Sequence, residues 1–438
     1  MPSPYVVPEP QNTPYEYIGE PPQLGSLVLT KLARSFAELE TSSIKDLFPD
    51  QMNPERSIVI ETEIEELGIM ELVQRGVPNG ATLPNTRLLS RTFEPAFFRS
   101  NDFIEQYLIN QLRAPGTLNE QNPPTRILEE RMRRMIARHS RLGDLLRSQV
   151  LLGGIDYRDP RTGVRLNVST QIPAHNFFHY YGFNDNVAAN ADVTWGGTVY
   201  TASRALTDDV GRPEALYFRN SNDEIGVPWT DANADIVRCL RYIKQYLKNT
   251  NKNIFTELIM SSDLYTVLLE NNFVKAYTGQ VGTFTTKTSN RVEPVLGGGS
   301  TPFITFGPGG DITAIAGLNI RLVDHLYTDP VDGVVKNMWP SNKVALVAKT
   351  HINDSSLPLG YTQHCSGEAE DGKPGLWVRS AGPEQSPPPN LPGRSIQMGD
   401  AFLPFAVYPQ WISILEVCAE GDIDNKLILR SDLGYMNF

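Results

Sequence analysis

RILEERMRRMIARHSRLGDLLRSQVLLGG, from Arg126 to Gly154, is the stretch on which the reading of this chain turns. It holds seven arginines and no lysine. Leu128, Met132, Met135, Leu142 and Leu146 recur at three- and four-residue spacing, which lays one apolar stripe along a helix. Thr125 stands where an N-cap belongs, Glu129 and Glu130 fall in the first turn, and Gly153 and Gly154 end the pattern. A helix over 126–152 is roughly 40 Å long at 1.5 Å per residue. Guanidinium groups along such a rod serve either phosphates or carboxylates, and the rest of the chain has to say which.

The bulk numbers weigh against a free-standing nucleic-acid binder. The 438 residues carry 39 Lys plus Arg against 50 Asp plus Glu, a net charge of −11. A polyanion repels such a chain as a whole, although an acidic balance is also what plain solubility requires. The length allows two or three domains with real cores. Three scattered cysteines, Cys239, Cys365 and Cys418, argue for a reducing compartment and against a disulfide framework. No stretch has the pattern of a signal peptide or approaches the roughly 20 apolar residues needed to span a bilayer. A soluble protein made in the cytoplasm is expected.

On the N-terminal side of the rod, the first 22 residues include seven prolines. Proline fixes φ and lacks the N–H, so residues 1–55 are expected to be an extended arm with one short helix near 28–40. Residues 56–104 follow. Ile58, Ile60 and Ile64 alternate with polar residues, a strand period. Gly76, Pro78, Gly80 and Pro84 break the chain at a wide tip, and RLLSRTFEPAFF returns as a second strand. This is a long hairpin with little to bury both faces, and an isolated two-stranded ribbon is marginal in water.

On the C-terminal side, residues 157–170 are expected to form a strand pair turning at Pro160–Gly163. Residues 184–225 are polar and irregular, which predicts a surface excursion. Residues 232–253 form an amphipathic helix with Ile236, Leu240, Ile243 and Leu247 on one face. IFTELIMS is a buried strand, and SDLYTVLLENNFVKAYTG a second helix ended by Gly279. After a glycine-rich break at 297–310 come a strand, a turn at Asp332–Gly333, another strand and a buried strand at 343–348. A proline-rich loop at 382–394 precedes two closing strands in 401–421.

Catalytic patterns are absent. The glycine-rich 297–310 stretch lacks the lysine and helix of a phosphate cradle. HNFFH spaces His175 and His179 four apart without the glutamate of a zinc helix. His364–Cys365 has no partner cluster for zinc or for a thiolate nucleophile. Phe97, Phe98, Tyr180 and Tyr181 fit packing better than base stacking. We therefore expect no enzyme, no catalytic residues, no metal and no cofactor.

The order of these parts resembles the phage-λ-like major capsid protein E family, tailed-phage shell proteins of the HK97 fold. LGIMELVQRGVPNGATLPNTRLLSRTFEPAFF (67–98) is similar to that family's E-loop hairpin. ILEERMRRMIARHSRLGDLLRSQVLLGGI (127–155) resembles its spine helix. The most specific stretch is WTDANADIVRCLRYIKQYLKNTNKNIFTELIMSSDLYTVLLENNFVKAY (229–277), which looks like the helix–strand–helix of its axial domain. AGLNIRLVDHLYTDPVDGVVKNMWPSNKVALVA (316–348) and LPFAVYPQWISILEV (403–417) resemble its later strands.

The resemblance implies an α+β, HK97-like capsid fold. Its parts would be an N-terminal arm over 1–55 and an E-loop hairpin over 56–104. A P-domain over 105–228 would contain the spine helix (126–152) and the 184–225 excursion. An A-domain over 229–395, with central sheet and flanking helices, would include the proline-rich loop, and 396–438 would return to the P-domain. It implies a head shell of hexamers and pentamers around a genome, with a separate scaffolding protein, a portal and a cement or decoration protein, and non-specific double-stranded DNA on the inner face. No membrane is involved; the protein would be a virion component made in the host cytoplasm. Contacts between subunits would fall on Arg75, Gly76, Pro78, Gly80, Arg87, Arg91, Phe97 and Phe98 of the hairpin and on Arg131, Arg134 and Arg138 of the helix, because arginine pairs carboxylates bidentately. DNA contact by part of that helix stays open. So do an encapsulin-like shell and, more remotely, a hydrolase with an unrecognised site. Some HK97-fold shells are locked by an isopeptide bond from an E-loop lysine. Here no lysine occurs between Lys45 and Lys244, so no such crosslink is expected.

Overall fold

The computed structural model describes residues 26–39, 43–55, 57–64, 87–105, 124–159, 163–180, 192–195, 198–201, 217–222, 224–275, 304–306, 312–329, 331–348, 350–351, 358–365, 372–381 and 393–423. The short helix α1 (Ser26–Leu39) and the long helix α2 (Pro124–Leu151) lie where the apolar periodicity places them. α2 begins slightly earlier than expected: Thr125 lies inside its first turn and does not cap it. Proline tolerates that first position because the N–H it lacks would be unsatisfied there anyway. The helix stops before Gly153, which takes a φ of 111°.

A seven-stranded sheet forms the larger layer, in the order Ile304–Phe306, Ile312–Ile315, Leu318–Leu322, Glu257–Met260, Lys343–Val347, Ile412–Glu416 and Phe177–His179. Glu257–Met260, flanked on both sides and buried at every position, carries no alternation. The helices α3 (Ile236–Asn251) and α4 (Ser262–Glu270) precede and follow that strand. Asp235 accepts from Arg238 N to cap α3. Ile236, Leu240, Ile243 and Leu247 are buried, as their spacing predicts.

α4 ends at Glu270, well before Gly279. Asn271 stops it: its side-chain oxygen accepts from the N–H groups of Phe273 and Val274 and so caps a new turn. Asparagine competes with the helix backbone in this way. A second unexpected turn, Ala316–Gly317, folds 312–322 into a hairpin.

The second layer is a five-stranded sheet. Asp50–Asn53 runs parallel to Gly360–Cys365, which pairs with the end of the long strand Gly393–Ala406. The start of that long strand pairs with Trp377–Ala381 on one side and Ala96–Glu105 on the other. These pairings redraw the expected divisions. The strand at 96–105 belongs to this body sheet and not to the hairpin of 56–104. Proline cannot donate to a ladder, and the chain leaves the hairpin at Pro95. Gly360–Cys365 and Trp377–Ala381 join the same sheet, not the segment 229–395, while Ile412–Glu416 enters the seven-stranded sheet.

The hairpin itself is a separate ribbon. Ile58–Ile64 pairs with Arg87–Phe93 and with no other strand among the described residues. The excursion is partly core: Phe218 and Ile225 are each only 1% exposed. Nearby, Arg219 bridges Ile225 and Asn220 bridges Ala234.

α2 joins two cores. Met132, Met135 and Ile136 pack with Leu29 and Ala33 of α1 and with Val378, Ile396 and Met398 of the five-stranded sheet. Leu146, Val150 and Leu151 enter the main core with the seven-stranded sheet. Each such burial is worth about 1.5–3 kcal/mol, so both ends of the rod are held to the body.

Candidate functional site

The residues expected at subunit contacts fall into three groups. Arg75, Gly76, Pro78 and Gly80 lie outside the described residues, and Arg87 stands at the start of a ribbon strand. Arg91, half-buried, lies opposite Ile60 in the ribbon. Phe97 and Phe98, neighbours on a strand, point to opposite faces. Phe97 is exposed, stacks on Trp377 with centroids 6.3 Å apart, and lies 4.7 Å below the Arg99 guanidinium. Phe98 turns inward onto Phe402 at 5.1 Å and Tyr157 at 6.1 Å.

On α2 the arginines divide. Arg131 pairs within the chain with Asp102 at 3.3 Å, and Arg134 pairs with Glu130 one turn before it. Arg138 is exposed and, with Arg141, edges a groove lined by Leu142, Tyr157 and the small hairpin of Leu326–Thr328 and Val335–Asn337. Arg147 behaves otherwise. Its guanidinium is buried and reaches Asp144 at 3.2 Å, Asp50 at 3.1 Å and the Thr362 hydroxyl at 3.0 Å. Gly143, one turn earlier, makes the room: a Cβ there would stand 3.3 Å from Nη1 of Arg147.

Arg147 belongs to an ionic cluster at a cavity of about 140 Å³ between α2, α1 and the five-stranded sheet. Asp400, fully buried, accepts at one oxygen from His139 Nε2 of α2 at 3.0 Å and from His364 Nδ1 at 2.8 Å. Burial works against the charge on His364. The Asp400 charge and hydrogen bonds to Asp400 and Asp50 outweigh it and lift the imidazole to about 9. Burial would likewise raise Asp50. A hydrogen bond from His364 and the charges of Arg147, His364 and Lys45 bring it down to about 2. Asp400 is held well below the usual carboxylate range against its own burial, chiefly by the charge of His364. A buried carboxylate with two imidazoles and a guanidinium close by fastens the middle of the rod to the sheet.

Sequence reading missed this cluster. Its members come from four separate segments, and the only local trace is the Asp144/Arg147 pair on the buried side of α2. The other histidine candidates separate. His175 sits in a 3-10 turn against Asn251 at 2.8 Å, and His179 contacts Glu416 at 3.1 Å. Burial pushes the Cys365 thiol up to about 11, and Cys365 packs into the core behind His364. Among the described residues, no three His, Cys, Asp or Glu converge as a metal site, and no helix is long and apolar enough to cross a membrane.

The described residues thus form a rod helix joining two cores, with a ribbon standing outside both sheets. A solved structure assigned as the capsid protein of an E. coli CFT073 prophage is similar over 89% of this chain and 99% of that one, with a TM-score of 0.50 and 11% identity. A phage-related protein of Bordetella bronchiseptica RB50 (TM-score 0.42, 10% identity, 88% and 96% of the two chains) and the capsid of cyanophage P-SCSP1u (0.41, 10%, 86% and 88%) match more weakly. The first of these carries the fold. None of the curated protein sequences matches. Residues 39–215 match the model of the phage major capsid protein E family. Over those residues the chain is similar to phage major capsid proteins.

Proposed function

We propose that the subunit forms the hexamers and pentamers of an icosahedral head shell by laying its ribbon, Ile58–Ile64 with Arg87–Phe93, across a neighbouring copy. In this reading the seven-stranded sheet with α3 and α4 is the axial domain. The five-stranded sheet with α2 is the peripheral domain, and residues before α1 form an arm that clasps neighbours. Phe97 and Arg138, both exposed, join the hairpin tip at these contacts, while Phe98, Arg131 and Arg134 hold the subunit together. A separate scaffolding protein, a portal and a cement protein complete the head, and double-stranded DNA fills it without sequence preference.

One observation carries the proposal: the ribbon pairs with no third described strand, and Val59 on it is 50% exposed. A ribbon of this kind gains its stability from a surface it lies on. Electron microscopy of the purified protein tests the reading. Shells of many copies are expected. Deleting residues 76–84 should abolish them while the circular dichroism and melting of the body persist. Shells that form normally without 76–84, or small oligomers from the intact chain, would refute it.

A further inference from the structure

We infer that the groove between α2 and the hairpin of Leu326–Thr328 and Val335–Asn337 seats the proline-rich arm, residues 1–25, of a neighbouring copy; this rests on the shell reading above. The hairpin is apolar at its surface. Leu326, Val331, Val334 and Val335 fall within ten residues and are 54–63% exposed. Exposed apolar groups concentrated in this way mark a surface that a partner covers. Leu326 and Val335 line the groove from the hairpin, Arg138 and Arg141 from α2, with Tyr157 and Tyr327 beside them. Both arginines are exposed, and neither pairs with a carboxylate among the described residues. Asp329 and Asp332, at the tip of the hairpin, are both held by Lys336.

The arm has the matching chemistry. Residues 1–25 contain seven prolines, three tyrosines, the glutamates Glu9, Glu16 and Glu20, and no lysine or arginine. A proline-rich segment is already extended as a polyproline II helix, and such segments dock in aromatic-lined grooves at low entropic cost. Tyr157 and Tyr327 supply the aromatic rings and Leu326 and Val335 the apolar seat. Arg138 and Arg141 supply the charge that the glutamates meet. A duplex would use the arginines and leave the aliphatic side uncovered.

The position of the arm's root favours another copy over the same chain. α1 begins at Ser26 and packs on Met132 and Ile136 of α2. Arg141 and Leu145 stand nine residues beyond those two, which is two and a half turns at 3.6 residues per turn, and so project from the opposite side of the rod. At about 3.1 Å per residue the arm spans roughly 75 Å, enough to reach an adjacent subunit.

The test uses full-length protein with a photoreactive benzophenone side chain in place of Val335 or, in a second variant, of Leu326. Either chain is mixed with an excess of isotope-labelled wild type and carried through assembly. Irradiation captures whatever occupies the groove, and mass spectrometry identifies it. The expected product joins the probe to residues 1–25 of a labelled chain. Arg138→Glu with Arg141→Glu in the probe chain should lower its yield at least about fivefold. Glu16→Arg with Glu20→Arg in the labelled chain should then restore it. The inference is overturned if the probe captures its own chain's arm, the ribbon segment 58–74 with its five glutamates, any other segment, or nothing, or if the yield ignores the charge changes. Electron micrographs of the same mixtures report separately on the assembly reading. Shells whose grooves capture no arm refute the seat alone, whereas arms captured in small oligomers refute the shell and leave the seat standing.

Discussion

His139 and His364, more than two hundred residues apart in the chain, reach the same oxygen of Asp400, one through Nε2 at 3.0 Å and the other through Nδ1 at 2.8 Å. His139 rides on α2 and His364 on the five-stranded sheet. A carboxylate only accepts, so both ring nitrogens must carry hydrogens. The contact ties the centre of the rod to the sheet beside Phe402 of the main core, whose ring packs against both imidazoles.

Stability should therefore depend on pH in two opposite senses. His364 has its folded value raised from 6.5 to about 9, so its contribution is complete below 6.5 and is lost as pH rises through 9. Asp50 has its folded value lowered from 3.8 to about 2, so its contribution is present above 3.8 and is lost as pH falls through 2. The melting temperature of unassembled subunit should decline between pH 6.5 and 9. In His364→Gln that decline should largely vanish. Equal declines in both proteins would show that His364 is not the group responsible.

Asp400→Asn keeps the shape and removes the charge. Breaking a buried pair by deleting one partner costs about 3–5 kcal/mol, and here two histidines lose their acceptor. Urea unfolding should show a loss in that range. The same experiment on exposed Asp156, whose pair with Arg165 lies at the surface, should show a much smaller change. Comparable losses at the two sites would contradict the assignment of the cluster as a clamp.

Gly399 lies beneath the indole of Trp377, and a Cβ there would stand 2.5 Å from Cζ2 of that ring. Gly399→Ala must displace Trp377, which is 1% exposed and carries the stacked Phe97. Overpacking of this kind costs about 1–3 kcal/mol. Tryptophan emission should shift to the red along with the loss of stability. A protein with wild-type emission and melting would show that the sheet accommodates the methyl group.

The hairpin offers arginines and no lysine, and a guanidinium stays protonated and cannot attack an amide. Denaturing gels of mature particles should show a monomer near 48.8 kDa. A ladder of multimers surviving boiling and reductant would mean that covalent locking uses another residue.

Local pattern alone determined a good part of this protein. The 3.6-residue stripe of Met132, Met135 and Leu146 marked α2, the face of Ile236, Leu240, Ile243 and Leu247 marked α3, and the alternation of Ile58, Ile60 and Ile64 marked the ribbon. Each is a near-neighbour effect: burial of one face repeats at the period of the backbone. The order of these elements was enough to point to the capsid family. Tertiary structure decided what no spacing encodes. Whether 96–105 continues the hairpin or joins the body depends on a partner strand that begins at Gly393, almost three hundred residues later. Phe218 and Ile225 look like loop residues, yet both are buried where Asn220 bridges Ala234 and Arg219 bridges Ile225. Above all, the purpose of the arginines differs from one to the next. Arg147 is a clamp because Asp50, Asp144 and Thr362 converge on it, whereas Arg138 on the same helix faces solvent. Charge acquires its meaning from what lies within a few ångströms, and in this chain those neighbours come from distant parts of the sequence.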